Sequence, residues 1–131
     1  MTAFTPETWP ERYIGWDGDG VDPTENCWKF VRRVLFSEAG VILPLYQVHE
    51  DTSAALVQQE SLSGRWVPAT IPQAGDVVVF RVTPTKTHIG IMVDANRVLH
   101  YKDVQTGAVI ELIRGITLAR RVEGYWRHAN Y

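Results

Sequence analysis

From residue 22 onward the chain sets polar and apolar positions in a helical period. A polar lead-in, Asp22-Pro23-Thr24-Glu25-Asn26, gives way to Cys27-Trp28-Lys29-Phe30-Val31-Arg32-Arg33-Val34-Leu35. Cys27, Val31, Val34 and Leu35 fall at i, i+4, i+7 and i+8, which is one face of an amphipathic helix. Pro23 and Thr24 suit the opening of that helix and Gly40 suits its end, so the spacing predicts a helix from about residue 24 to about residue 39. Shorter helices are expected over 6–14, broken by Trp16-Asp17-Gly18-Asp19-Gly20, and over 52–62, where Thr52 or Ser53 caps a stretch rich in alanine and glutamine. Residues 64–75, with two prolines, read as a loop.

At Asp76 the pattern changes to short β-branched runs. Val77–Val82, His88–Val93, Val98–Tyr101 and Ala108–Ile113 read as strands, with the last strands over 118–122 and 124–126. Tight turns join them, with Asp94-Ala95-Asn96-Arg97 between the second and third, which indicates a meandering antiparallel sheet. Helices first and strands afterwards make an α+β domain, not a series of βαβ units. The 131 residues suit a single domain, 1–131, and no repeat, linker or low-complexity segment divides them.

Composition narrows the function classes. A net charge of −2 gives no reason to expect a nucleic-acid partner. No run approaches the roughly 18 apolar residues of a membrane span, and the first residues lack the basic start and apolar run of a secretory signal. The expectation is a chain made soluble in a reducing cytoplasm, with any export by another route. Five tryptophans and five tyrosines supply large surfaces for a core, so folding needs neither a metal nor a disulfide. The single cysteine cannot form an internal disulfide, and its thiol stays free in a reducing compartment.

That cysteine is the first candidate for chemistry. A thiol in the first turn of a helix feels the positive end of the backbone dipole, which favours the nucleophilic thiolate. Taken alone, Cys27 also reads as a small buried apolar residue. A cysteine nucleophile needs a base to take its proton and a third group to orient that base. The four histidines are His49, His88, His100 and His128. His88 and His100 are equidistant from residue 94, so a hairpin turning there sets them opposite each other on one face, within reach of a ring–ring hydrogen bond. Gly90 falls on that same face, where its missing side chain is expected to let the cysteine helix pack closely. His49 lies in a polar stretch and is read as solvent-exposed; His128, near the terminus, is read as structural. Cys27, His88 and His100 are also a conceivable zinc-ligand set, but no CxxC or HExxH spacing supports one, and neither a metal nor a cofactor is expected.

Four segments occur in an informative order: Asn26-Cys27-Trp28-Lys29-Phe30-Val31, Gly75-Asp76-Val77-Val78-Val79-Phe80, His88-Ile89-Gly90-Ile91-Met92-Val93 and Val98-Leu99-His100-Tyr101. Together they resemble the NlpC-type bacterial cell-wall cysteine peptidases, and Gly40-Val41-Ile42-Leu43-Pro44 and Gly124-Tyr125-Trp126-Arg127 resemble the bacteriophage tail-associated branch. The resemblance runs from about Tyr13 to about Arg127 and is weakest across 45–72. It implies a papain-like α+β fold, with N-terminal helices, the nucleophile at the start of a central helix, packed on a C-terminal antiparallel sheet of about five or six strands. It implies Cys27 as nucleophile, His88 as general base, His100 as orienting residue, and oxyanion donors among the backbone N–H groups at the helix start, including that of Cys27. Family members often carry an aromatic residue in the active site shortly before the cysteine, a position that either Tyr13 or Trp16 fills. Trp28-Lys29 stands where many members have Ser-Gly, so Trp28 is expected to border and narrow the substrate pocket. Asp76 reads as part of a structural turn.

The implied activity is hydrolysis of an amide bond in a peptidoglycan stem peptide, between D-glutamate and a diamino acid, by a protein carried in a phage tail beside other tail proteins or encoded by a prophage. Two alternatives differ in class. One is a structural tail-assembly or tail-tip protein with the same fold and little activity. The other is a different papain-like amide hydrolase or transferase, such as an interbacterial amidase toxin.

Overall fold

The computed structural model describes residues 4, 8–16, 26–43, 60, 62–81, 87–103, 105–115 and 122–129. Within them the predicted central helix forms as α1, Asn26–Ala39. Phe30, Val31, Val34 and Leu35 are buried along one stripe, with Trp28 buried and Cys27 half-buried at its start. Gly40 ends the helix with φ +68°, a left-handed conformation that glycine adopts without strain. The Gly40 N–H donates to the Phe36 carbonyl and the Val41 N–H to that of Leu35, satisfying two of the last helical carbonyls. Pro23 and Thr24, the expected openers, lie outside the described residues, as do His49 and nearly all of the expected helix over 52–62. Of the expected helix over 6–14, the described residues form a short 3₁₀ helix, Trp9–Tyr13, and residues 6 and 7 lie outside them.

Six antiparallel strands follow: β1 (Trp66–Ala69), β2 (Val77–Arg81), β3 (Thr87–Met92), β4 (Arg97–Asp103), β5 (Gly107–Leu112) and β6 (Val122–His128). They form one sheet in the order β1-β6-β2-β3-β4-β5. β2 to β5 are the expected meander, but β6 returns to the opposite side of β2. β1 corrects the reading of 64–75 as a loop. Among the described residues it sits at the sheet edge with β6 as its one partner, a place where a proline such as Pro68 costs little because its missing N–H faces no second strand.

Both faces of the sheet are covered, which is why Val77, Val78, Val79 and Phe80 are all buried instead of alternating. On one face α1 packs over β3 and β4, joining Phe30, Val31, Val34 and Leu35 to Val77, Val79, Ile89, Ile91 and Leu99. The other face holds a smaller cluster of Val78, Phe80, Met92 and Val98, with Ile113, Val122 and Tyr125 against it. Asp76 is fully buried at the mouth of β2. Its carboxylate accepts two bonds from the Arg127 guanidinium, at 2.9 and 2.7 Å, and a third from the Gln73 N–H at 2.8 Å. The structural role read for the Gly75-Asp76 turn is therefore the observed one, through an ion pair 51 residues apart in sequence.

Candidate active site

His88 is the second residue of β3 and His100 the fourth of β4, so adjacent strands carry the two rings. The turn joining these strands is held by Asp94, whose carboxylate accepts the N–H groups of Asn96 and Arg97 at 2.8 and 2.9 Å. Val93 donates to the Arg97 carbonyl at 2.9 Å, which centres the hairpin on residue 95, one residue later than expected. The register is accordingly Ile91 opposite Leu99 and Met92 opposite Val98. Extended along the strands, it sets His100 opposite Gly90 and diagonal to His88, which corrects the direct pairing of the two histidines. The slip is two residues, and an even slip keeps every side chain on its face. The rings still meet: His88 Nε2 lies 2.9 Å from His100 Nδ1, with ring centroids 5.1 Å apart and planes crossing at 79°.

Gly90 makes room for this contact. A Cβ there would lie 2.7 Å from Val98 Cγ2, 3.0 Å from His100 Cβ and 3.1 Å from the Leu99 carbonyl. The space it leaves is occupied by the neighbouring strand, not by the cysteine helix, which corrects the expected reason for this glycine.

The pair continues outward to a residue that the sequence reading had passed over. His100 Nε2 is 3.2 Å from Glu111 Oε1 on β5, and Lys102 Nζ reaches the same oxygen at 3.5 Å. Glu111 is the one charge in Ala108-Val109-Ile110-Glu111-Leu112-Ile113, and that lone charge was the available signal. His100 is 4% exposed, and burial lowers its pKa below the ordinary 6.5, partly offset by the Glu111 carboxylate. Burial thus favours the neutral ring. His88, half-buried, stacks at 5.9 Å on Phe80, its direct partner across β2 and β3.

Cys27 occupies the first turn of α1 and packs against the helix-side core. The imidazoles project from the Phe80 face of β3 and β4, and α1 lies over the other face of the same two strands.

The three aromatic candidates have separate settings. The Tyr13 hydroxyl donates to Glu38 in the last turn of α1, about 17 Å along the helix axis from Cys27 at 1.5 Å per residue. Burial first, and then that carboxylate, push its pKa up to about 12. Trp16 packs against Phe30 and Tyr101, with centroids 5.3 and 5.8 Å away, and its backbone pairs with Ala108 of β5. Trp28 lines an apolar cavity with Val31, Trp66, Val79, Ile89 and Trp126, close to the thiol along the chain. At its wall Glu60 is buried and ion-paired to Arg65 at 2.7 Å, and it accepts from Trp66 Nε1 at 3.0 Å. His128 is buried edge-on against Trp66 at 4.9 Å, a packing role. Among the described residues no group of three or more His, Cys, Asp or Glu side chains is arranged to hold a metal ion, and no helix is long and apolar enough to cross a membrane.

A helix with a cysteine in its first turn, packed on an antiparallel sheet with two adjoining histidines, defines the papain-like α+β class. Within that class the chain belongs to the NlpC/P60 family, whose sequence profile matches residues 11–127. The family is one of cysteine peptidases acting on the bacterial cell wall. No curated protein matches the chain. Among solved structures it is similar to the NlpC/p60 domain of the peptidoglycan hydrolase SagA, at 17% identity and a TM-score of 0.57 over 92% of this chain and 93% of that one. It is also similar to a lipoprotein-like protein of the NLP/P60 family from Staphylococcus aureus subsp. aureus Mu50, at 23% identity and a TM-score of 0.62. That match covers 97% of this chain and 43% of the staphylococcal one.

Proposed function

We infer that this protein is a cysteine endopeptidase that hydrolyses amide bonds in peptidoglycan stem peptides, the bond from D-glutamate to a diamino acid being the proposed target. The observation that carries the reading is the 2.9 Å ring–ring contact of His88 and His100 on the two strands beneath α1, in a chain of the NlpC/P60 family whose single cysteine opens that helix. In this mechanism His88, at the second position of β3, takes the Cys27 proton. The thiolate attacks the carbonyl carbon, a C–S bond forms, and the C–N bond breaks as His88 hands its proton to the leaving amine. Water then attacks the thioester with His88 as base, releasing the carboxylate product and the thiol. Backbone N–H groups at the start of α1 are the proposed oxyanion donors. The Trp28 cavity is the proposed seat for an apolar part of the substrate; Tyr13 and Trp16 do not line it. Asn26-Cys27-Trp28 and Gly40–Pro44 support a phage tail or prophage setting, with other tail proteins as neighbours.

One observation favours a second reading, a structural tail protein of the same fold with little activity. Cys27 packs with the helix-side core, whereas the rings project from the opposite face. Defined muropeptides decide between the two. The peptidase releases new amines, identified by mass, and Cys27→Ala abolishes the release with little loss of stability. Failure of the folded wild type to release any amine, while iodoacetamide alkylates Cys27 slowly below pH 7, establishes the structural reading.

A further inference from the structure

We propose that Glu111 is a positioning residue that sets the order of protons along the His88–His100 pair, so that a neutral His88 carries its basic lone pair on Nδ1. The inference rests on the peptidase reading and extends it to a residue outside the Cys27, His88 and His100 set. It follows from donor and acceptor counting. A carboxylate only accepts, so the 3.2 Å contact requires His100 Nε2 to carry a hydrogen. A neutral His100 then has a bare lone pair on Nδ1. The 2.9 Å contact at that atom requires His88 Nε2 to donate, which leaves the lone pair of a neutral His88 on Nδ1.

Without an acceptor at the far end, the opposite order is equally well bonded between the rings. His100 would carry its hydrogen on Nδ1 and donate to His88 Nε2, and His88 would carry its own on Nδ1. A His88 in that state cannot take a proton at Nδ1. Glu111 selects between two proton arrangements of the same heavy-atom geometry. When His88 does take a proton, its Nε2–H bond to neutral His100 strengthens, and the carboxylate two bonds away compensates the positive charge. Lys102 Nζ shares the same Glu111 oxygen at 3.5 Å.

The test reads the tautomers directly, by long-range ¹H–¹⁵N correlation of the imidazoles in wild type, Glu111→Ala and Glu111→Gln, with thermal melts confirming that each is folded. Both rings of the wild type are expected as Nε2–H. Glu111→Ala is expected to move a large share of both to Nδ1–H and to lower the rate of muropeptide hydrolysis about 10- to 100-fold, in the range for loss of an outer orienting partner. Its pH–rate profile should shift on the acidic limb, because His88 loses a compensating charge. Glu111→Gln keeps a carbonyl acceptor beside Lys102 and is expected to restore the Nε2–H order and most of the rate. Unchanged tautomers in a folded Glu111→Ala overturn the proposal, as does a Glu111→Gln variant no closer to wild type than Glu111→Ala. A wild type with the expected tautomers but no hydrolysis would sink the peptidase reading and leave the proton ordering intact.

Discussion

Gly90→Ala is the most direct probe of how the hairpin builds the ring pair. The added methyl would stand 2.7 Å from Val98 Cγ2, about 0.7 Å inside ordinary contact, and 3.0 Å from His100 Cβ, about 0.4 Å inside it. The third neighbour is the Leu99 carbonyl at 3.1 Å, which belongs to the backbone and cannot rotate away. β3 and β4 must therefore separate locally, or His100 must tilt toward β5. A displacement of about 0.5 Å takes the 2.9 Å ring–ring contact beyond the roughly 3.2 Å limit of a sound N–H···N bond. Overpacking of this kind costs about 1–3 kcal/mol, and replacing a strand glycine returns about 0.5–1 kcal/mol of backbone entropy. The net expectation is a loss of about 1–2 kcal/mol, which lowers Tm by roughly 3–8 °C for a domain of this size. Thermal unfolding measures the first effect, and muropeptide hydrolysis well below Tm measures the second. The rate should fall at least 10-fold, as it does when an orienting partner is lost. A Gly90→Ala protein with wild-type Tm and wild-type kcat/KM would refute the close approach and the importance of the ring–ring bond together.

Other outcomes follow from the same geometry. His88→Ala should depress hydrolysis more than His100→Ala, because removing a base costs more than removing the group that orients it; equal losses in steady-state assays would contradict the assigned roles. Burial lowers the pKa of both His100 and His128 below 6.5, so the unfolded chain takes up protons first as acid is added. The stability gained by keeping these rings neutral is complete above about pH 6.5 and is lost as the pH falls below it. Denaturant unfolding across that range should show the decline, and His128→Gln should flatten part of it. Arg127→Met strips the buried Asp76 carboxylate of its bidentate partner and should cost about 3 kcal/mol, the low end for a broken buried pair because the Arg127 side chain is 34% exposed. Urea unfolding measures that loss, and iodoacetamide labelling of Cys27 in the folded variant should be unchanged.

Much of this protein is written in local pattern. The apolar stripe of α1, its glycine stop, the placement of Cys27 in the first turn and the β-branched runs of β2 to β5 follow from periodicity and turn residues, because those signals act over a few neighbouring positions. The meeting of His88 and His100 was legible for a related reason: strand side chains alternate faces, so the expected hairpin and the observed one, two residues apart in register, both set the rings on one side. Only the tertiary structure decided which residue each ring opposes, because the Asp94 carboxylate holding the turn moves its centre by one residue. It also decided the long-range pairings. β6 returns beside β2, β1 forms at the edge despite Pro68, Arg127 closes on Asp76, and Glu111 on β5 meets the outer nitrogen of His100. These contacts join residues far apart along the chain, and their geometry depends on how the strands are ordered in the sheet. Nothing in the period of a single segment carries that order.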